Sequence, residues 1–253
     1  MKTLDYNKIE YYKNNKFQFD IGKYFNQSLE LFQNNWQPFV IYALVAAIIY
    51  LFTSFTIIGL LFVMYPLLMG FLIGAERAEN KMSLELGDFF GGFKNIGSYF
   101  LLTLIVIGGS ILIMLPYFIF MFMPLLFNDP DNVNPALMIG SSIFGLLYML
   151  VATIFLFFIQ ACIFLAPYLI HYGNMSAMQA IKTSYAIVKK NFWWMVLMAI
   201  VVSLVASIGA IACYIGAIAT YPIGYMMVYF MLKDMILTDD QKTEIDLLGT
   251  NQE

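Results

Sequence analysis

Apolar and polar positions are segregated into long blocks along this chain. Four stretches contain no Asp, Glu, Lys or Arg and are predominantly apolar. Each reaches or exceeds the roughly 20 apolar residues that a helix needs to span a bilayer. The pattern therefore predicts an all-α, polytopic membrane protein. The four charge-free stretches are residues 37–75, 95–128, 132–181 and 191–232.

The four stretches divide into six predicted spans. The first is too long for one helix and has a break between Thr53 and Gly59, and the last is divided by a turn from Gly209 to Gly216. The linker NDPDNVNP, rich in Pro, Asn and Asp, separates two longer central spans. We expect a polar segment (1–19), a six-helix membrane domain (20–232) and a tail (233–253), with spans at about 37–54, 57–75, 99–127, 136–170, 192–210 and 213–232.

The basic residues predict the orientation. All 13 Lys and Arg fall in segments that lie on one side of this topology, whereas the other side has only Asp129 and Asp131. Lys and Arg are enriched in cytoplasmic loops of membrane proteins, so both termini are predicted to be cytoplasmic. Asp129 and Asp131 flank Pro130 and are typical of a turn. The long central spans predict a hairpin that projects on the opposite side.

A threefold pattern runs through the domain. Three segments, SLELFQNNWQPFVIY, GDFFGGFKNIGSYFLL and SYAIVKKNFWWMVLM, each have an amphipathic stretch, then an asparagine, then an aromatic and apolar run. The asparagines are Asn34, Asn95 and Asn191. We predict three units, each an amphipathic interfacial helix followed by a helical hairpin.

The amphipathic stretches allow two interpretations. Asp20 is a plausible N-cap of the first, and Ser176 with Gln179 forms a capping-box pattern at the start of the third. The amphipathic helices either only pack against the membrane helices or lie in the head-group layer and bind lipid. The lipid head-group candidates are Lys23, Lys94, Lys182, Lys189 and Lys190.

The second span of each hairpin contains a proline, namely Pro66, Pro167 or Pro222. A proline inside a helix removes a donor and kinks the helix, which either shapes packing alone or lines a substrate path, as broken helices do in transporters. Gln160 lies in the fourth span, where a buried amide is expected to pair across helices or to line a cavity. Small residues four apart, such as Gly209, Cys213 and Ala217, predict a close helix contact.

The sequence offers little for catalysis. The spans contain no charged residue, which weighs against ion-coupled pumps, proton relays and voltage sensors. His171 is the only histidine and is interpreted as an interfacial, hydrogen-bonded residue. Cys162 and Cys213 lie in apolar segments and are interpreted as buried small hydrophobes. No enzymatic activity, cofactor or metal is expected, and a net charge of −3 without a basic face argues against nucleic-acid binding.

The run MSAMQAIKTSYAIVKKNFWWM, the PLLMG ending of the second span and the hairpin IGAIACYIGAIATYPI resemble a family of bacterial six-helix membrane proteins. That family is related to the membrane domain found beside some glycerophosphodiester phosphodiesterases and to similar inner-membrane proteins. The resemblance covers about Asp20 to Leu232 and implies the bacterial cytoplasmic membrane, but no activity. Some members carry a carotene oxygenase label, which the single His171 argues against.

The expected function is that of a non-enzymatic accessory or scaffold subunit. The expected partners are membrane lipids, with other membrane proteins of a larger complex as a further expectation. The alternative is a transporter or channel for a lipid-like or uncharged small substrate, based on the repeats, the three prolines and Gln160.

Overall fold

The computed structural model describes residues 2–127, 135–211 and 215–238. Regular structure within these ranges is helical, apart from one isolated β-bridge between Leu4 and Leu237. The elements are α1 (Tyr6–Asn14), α2 (Ile21–Ser54), α3 (Ile57–Glu79), a 3-10 helix (Leu86–Asn95), α4 (Ile96–Phe127), α5 (Pro135–Cys162), α6 (Ala166–Gly173), α7 (Ala177–Ile211) and α8 (Ile215–Met235).

Five helical segments of the described residues are long and apolar enough to cross a membrane. An all-helical fold with several helices long and apolar enough to span a membrane is therefore confirmed, whereas the six-span count and the grouping into hairpins stay predictions. The five segments are Ile21–Ser54, Gly59–Glu79, Leu86–Pro124, Pro135–Gly173 and Ala177–Gly209.

Two of the long helices are kinked at an asparagine. Asn35 in α2 (φ −135°, ψ 26°) and Asn191 in α7 (φ −117°, ψ 17°) have non-helical backbone angles. Each side-chain amide donates to the carbonyl four residues earlier, Leu31 at 3.1 Å and Ile187 at 3.2 Å. Asn competes in this way with the backbone hydrogen bonds of a helix. The first kink follows the Asn34 of the sequence pattern by one residue, and the second lies at Asn191 of that pattern, which by itself predicted no kink.

The stretches before these kinks begin as their caps predict. The Asp20 carboxylate accepts from the N–H of Lys23 at 2.9 Å. Ser176 and Gln179 exchange hydrogen bonds, with the N–H of Ser176 donating to Gln179 at 3.1 Å and the N–H of Gln179 donating back at 3.4 Å. In the second unit the corresponding stretch is the 3-10 helix, and the Nδ2 of its last residue, Asn95, donates to the carbonyl of Ile170 at 2.8 Å.

The described residues form two compact units. The larger comprises the residues up to Leu102 and those from Cys162 onward. Within it, α3 packs against α2, the 3-10 helix and α8. The contact between α3 and α2 requires glycine at position 70, because a Cβ added at Gly70 would lie 2.0 Å from the Tyr42 hydroxyl oxygen. That hydroxyl donates to the Leu67 carbonyl at 2.6 Å, and the Tyr42 ring stacks on Phe89 at 4.6 Å.

Helices α7 and α8 approach each other closely. A Cβ added at Gly209 would lie 2.2 Å from the carbonyl carbon of Gly216, and the Thr220 hydroxyl donates to the Ala206 carbonyl at 2.9 Å. The small residues that the sequence indicated therefore do let two backbones meet. Cys213, in the same pattern, lies outside the described residues.

The smaller unit spans Thr103–Ala161. Its two helices contact each other where the Tyr148 hydroxyl of α5 donates to the Ile113 carbonyl of α4 at 2.6 Å. The rings of Phe120 and Phe144 stack at 6.4 Å, and Gly145 lies against Phe120. Asp129 and Asp131, of the linker between these helices, lie outside the described residues.

A turn interrupts the segment that the sequence predicts as a continuous fourth span. Helix α5 ends at Cys162 and α6 begins at Ala166. Ser184 of α7 closes the turn, because its hydroxyl donates to the Cys162 carbonyl at 2.8 Å and accepts from the Leu165 N–H at 3.1 Å. Pro167 lies in the first turn of α6, where a proline costs no hydrogen bond.

Candidate functional site

The five head-group candidates have different surroundings. Lys23 is engaged within the protein: its Nζ lies 2.6 Å from the Asp234 carboxylate. Lys94 is exposed at the end of the 3-10 helix. Lys182, Lys189 and Lys190 are exposed on the first half of α7, and none of them forms an ion pair with another described residue.

The kink and cavity candidates separate into two kinds. Pro66 in α3 and Pro222 in α8 are buried. Pro66 serves close packing, because a Cβ added at Gly92 would lie 2.5 Å from its carbonyl oxygen. Gln160 is exposed on α5, so the expectation of a buried amide is not met. Pro167, as described above, starts a helix and does not kink one.

His171 lies next to Tyr172, with the ring centroids 5.0 Å apart in an edge-to-face arrangement. Neither ring nitrogen has a hydrogen-bond partner among the described residues, which differs from the hydrogen-bonded histidine that the sequence suggested. No group of three or more His, Cys, Asp and Glu that could hold a metal ion occurs among these residues either.

The most distinctive polar site is a partly buried group of charges at the end of α3. Glu76 and Glu79 lie one helical turn apart, and Glu76 is only 3% exposed. The backbone N–H of Lys2, itself 5% exposed, donates to Glu76 Oε1, and Lys2 Nζ lies 3.7 Å from Glu79 Oε2. We call Lys2, Glu76, Glu79, Tyr229 and Lys233 the charged cluster.

Two residues of α8 complete the charged cluster. The Tyr229 hydroxyl donates to Glu79 Oε2 at 2.6 Å, and Lys233 Nζ donates to Glu79 Oε1. Both ammonium groups thus lie beside the Glu79 carboxylate, whereas Glu76 accepts from the backbone N–H of Lys2. Partly buried charges are tolerated when they are paired and hydrogen-bonded, and Glu79 meets both conditions.

The segment that carries Lys2 is fixed to the end of α8. The N–H of Asp5 donates to the Ile236 carbonyl at 2.8 Å, and the N–H of Thr238 donates to the Thr3 carbonyl at 3.0 Å. Lys8 Nζ donates to the Leu237 carbonyl at 2.8 Å. Residues near the two ends of the described chain therefore pair over the charged cluster.

Behind the charged cluster lies a group of tyrosines, which we call the tyrosine cluster. The hydroxyls of Tyr221 and Tyr225 are 3.1 Å apart. The ring centroids of Tyr65 and Tyr99 are 6.0 Å apart, and Tyr168 and Tyr172 lie one turn apart on α6. Four of the seven members are at most 6% exposed. The members are Tyr65, Tyr99, Tyr168, Tyr172, Tyr221, Tyr225 and Tyr229.

The tyrosine cluster reaches well into the bundle. Tyr65 and Glu76 lie on the same helix, about 16 Å apart along its axis at 1.5 Å per residue. Hydroxyl groups therefore extend from within the apolar part of α3 to the charged end of that helix.

Sequence reasoning missed both clusters. Glu76 and Glu79 fall immediately after the first charge-free stretch, where charges are ordinarily solvent-exposed. The signals that could have revealed the clusters are the four-residue spacing of Tyr221, Tyr225 and Tyr229 and the three-residue spacing of the two glutamates, since both spacings place side chains on one helix face. The docking of Lys2 has no local signal, because it joins residues far apart in the chain.

No family model, curated protein or solved structure matches this chain. Its class is therefore defined by the fold: it is a helical membrane protein with several helices long enough to span the bilayer.

Proposed function

We propose that the chain is a non-enzymatic, multi-pass protein of the bacterial cytoplasmic membrane that acts as an accessory or scaffold subunit associated with lipids. It has six membrane helices in three hairpins, with both termini cytoplasmic. Its partners are membrane lipids and other membrane proteins of a larger complex, and not nucleic acid. The resemblance to the bacterial six-helix family supports this location.

The observation that carries the proposal is the two-sided first half of α7. One face is fully buried against the protein, including Ala180, Ile187 and Val188. The opposite face is exposed and alternates basic with apolar or aromatic groups, in the order Met178, Lys182, Tyr185 and Lys189. The first half of α7 (residues 177–190), which we call the α7 elbow, therefore packs on the bundle and presents lysines outward at the same time.

The end of this elbow fits the membrane interface. The kink at Asn191 is followed by Trp193, which is 79% exposed, and then by the apolar part of α7. Tryptophan and tyrosine favour the head-group level of a bilayer, and lysines close to it attract anionic lipids by about 1 kcal/mol each. Lys182, Lys189 and Lys190 are therefore suited to hold anionic lipid at the cytoplasmic surface.

The proposal is tested by replacing these three lysines with glutamine in the full chain, reconstituted in nanodiscs that contain phosphatidylcholine with or without phosphatidylglycerol. We expect the triple variant to lose most of its preference for phosphatidylglycerol, roughly fivefold per lysine at about 1 kcal/mol each. Lys13→Gln is the matched control, because Lys13 is a partly exposed lysine that pairs with Glu10 in α1. Unchanged preference in the triple variant contradicts the proposal.

A second candidate is a transporter or channel for a lipid-like or uncharged substrate. The tyrosine cluster favours it, since four of its members (Tyr99, Tyr168, Tyr172 and Tyr229) are buried in the same unit as the buried prolines Pro66 and Pro222. Pro66→Ala, Pro222→Ala and Tyr168→Phe discriminate between the two functions. If these variants fold normally but abolish a transport phenotype, the scaffold proposal fails. Gln160→Leu serves as the control, because Gln160 is exposed on α5.

A further inference from the structure

We propose that one anionic phospholipid binds at a composite site on α7, with its phosphate held between Lys190 of the α7 elbow and Lys16 of the segment that precedes α2. The inference rests on the proposed function and deepens it, because it adds Lys16 as a binding residue and assigns one lipid to one place. We call residues 15–19 the docked segment.

The docked segment is held against α7 at the end of the elbow. The N–H of Phe17, a buried residue, donates to Asn191 Oδ1 at 2.7 Å, and the ring of Phe19 stacks on Trp194 at 5.7 Å. Helix α1, which precedes the docked segment, packs on the same helix. Two separate contacts therefore fix the docked segment on the residues that directly follow Lys190.

This docking brings Lys16 close to Lys190. Each is the sequence neighbour of one partner in the hydrogen bond between Phe17 and Asn191, so standard bond lengths place their Cα atoms within roughly 13 Å of each other. The flexible four-carbon stems of two lysines can bridge that distance. Both side chains are exposed, and neither forms an ion pair with another described residue. Two ammonium groups therefore border one surface.

Beyond these lysines, α7 presents an exposed apolar stripe. After the kink at Asn191, exposed apolar residues follow one another at three- and four-residue spacing, which places them on one face of the helix. The stripe is about 22 Å long at 1.5 Å per residue, which exceeds the roughly 15 Å of hydrocarbon in one leaflet. Its members are Trp193, Leu197, Ile200, Leu204 and Ile208.

The composite site matches an anionic phospholipid in both charge and polarity. The two ammonium groups complement the phosphate, and Trp193 and Trp194 lie between the lysines and the apolar part of α7, as expected at the head-group level. An acyl chain fits along the stripe. A soluble phosphate has no chain to cover that stripe, so the ligand is the lipid.

The test uses Trp193 and Trp194 as reporters in the full chain, with Trp36→Phe to remove the remaining tryptophan. The protein is reconstituted in phosphatidylcholine nanodiscs that contain increasing fractions of phosphatidylglycerol with brominated acyl chains, which quench tryptophan fluorescence on contact. Brominated phosphatidylcholine is the reference lipid. We expect Lys16→Gln to lower the preference for phosphatidylglycerol roughly fivefold, and Lys16→Arg to keep it.

Lys81→Gln is the matched control for loss of one charge. Lys81 lies between α3 and the 3-10 helix, is exposed, and forms no ion pair with another described residue. Its replacement should leave the preference nearly unchanged. If Lys81→Gln and Lys16→Gln lower the preference equally, the lysines attract phosphatidylglycerol only through the total charge, and the composite site is wrong.

Two further arms separate this inference from the proposed function and from a soluble ligand. If the triple variant of Lys182, Lys189 and Lys190 loses the preference whereas Lys16→Gln keeps it, the α7 elbow binds lipid without the docked segment and only this inference fails. If the triple variant keeps the preference, the proposed function itself fails. Soluble glycerol 3-phosphate should not restore the quenched fluorescence, and restoration would overturn the assignment of the ligand as a lipid.

Discussion

The side-chain oxygen of Asn191 accepts a hydrogen bond of 2.7 Å from the backbone N–H of Phe17. Asn191 is also the residue at which α7 kinks, and it is 1% exposed. One asparagine thus both redirects a long helix and holds the polar N-terminal segment against it. The contact is extended by Phe19, whose ring stacks on Trp194 at 5.7 Å.

Replacing the asparagine at each kink with alanine should affect stability differently at Asn191 and at Asn35. In Asn191→Ala the N–H of Phe17 loses its acceptor, and a buried unsatisfied donor costs about 1–3 kcal/mol. Among the described residues, the side chain of Asn35 bonds only within its own helix. Asn35→Ala should therefore change the free energy of unfolding by no more than about 0.5 kcal/mol. Denaturant unfolding in detergent measures both variants.

Limited proteolysis gives a second readout of the same pair. Asn191→Ala should make residues 2–19 more accessible to protease, and Asn35→Ala should leave them protected. Equal stability and equal proteolysis of the two variants would show that the Phe17 contact does not hold the segment.

The close approach of α7 and α8 predicts a position-specific effect of glycine replacement. Gly209→Ala should destabilise the protein by about 1–3 kcal/mol, because the new Cβ has no space against the Gly216 backbone. Gly108→Ala is the control, since nothing lies within 4 Å of a Cβ at that position. It should be neutral or stabilising, because alanine favours a helix. Thermal unfolding of the two variants checks the difference, and a smaller effect at Gly209 than at Gly108 would contradict the contact.

The turn between α5 and α6 should depend on one hydroxyl. Ser184→Ala removes the acceptor of the Leu165 N–H and the donor to the Cys162 carbonyl, at an expected cost of about 1–3 kcal/mol for buried groups left unsatisfied. Ser203→Ala is the matched control on the same helix, because that exposed hydroxyl bonds only to the Ala199 carbonyl. Equal unfolding free energies would show that Ser184 does not close the turn.

The predicted topology is checked by reporter fusions. A reporter inserted after Asn132 should be external and one fused after Glu253 should be cytoplasmic, because every Lys and Arg lies on the predicted cytoplasmic side. Accessibility to a membrane-impermeant thiol reagent at the same positions provides an independent measurement. The reverse orientation would overturn the positive-inside assignment and the cytoplasmic placement of the lysine-bearing elbow.

The sequence predicted the features that depend on local pattern. Long charge-free runs identify helices by length and apolarity alone, and the N-cap of Asp20 and the pair of Ser176 and Gln179 follow from neighbouring residues. These properties need no knowledge of which helices are neighbours. The kinks at Asn35 and Asn191 were not predicted, because the sequence pattern marks Asn34, Asn95 and Asn191 only as residues that precede an aromatic and apolar run.

The features that the sequence did not predict depend on contacts between residues that are far apart in the chain. The burial of Lys2 and Glu76 follows from the docking of a terminal segment on α3 and α8, which no window of sequence encodes. The exposure of Gln160 depends on the face of α5 that the fold leaves uncovered. The turn after Cys162 is stabilised by Ser184 on another helix, so the pattern of the fourth stretch alone indicates an uninterrupted span.

The most direct test of the central claim is native mass spectrometry of the full chain extracted in native membrane patches. We expect co-purified anionic lipid that is lost in the triple variant of Lys182, Lys189 and Lys190, or a stoichiometric membrane-protein partner. A chain that carries neither, but holds an uncharged small molecule that Tyr168→Phe releases, would contradict the scaffold function and favour transport.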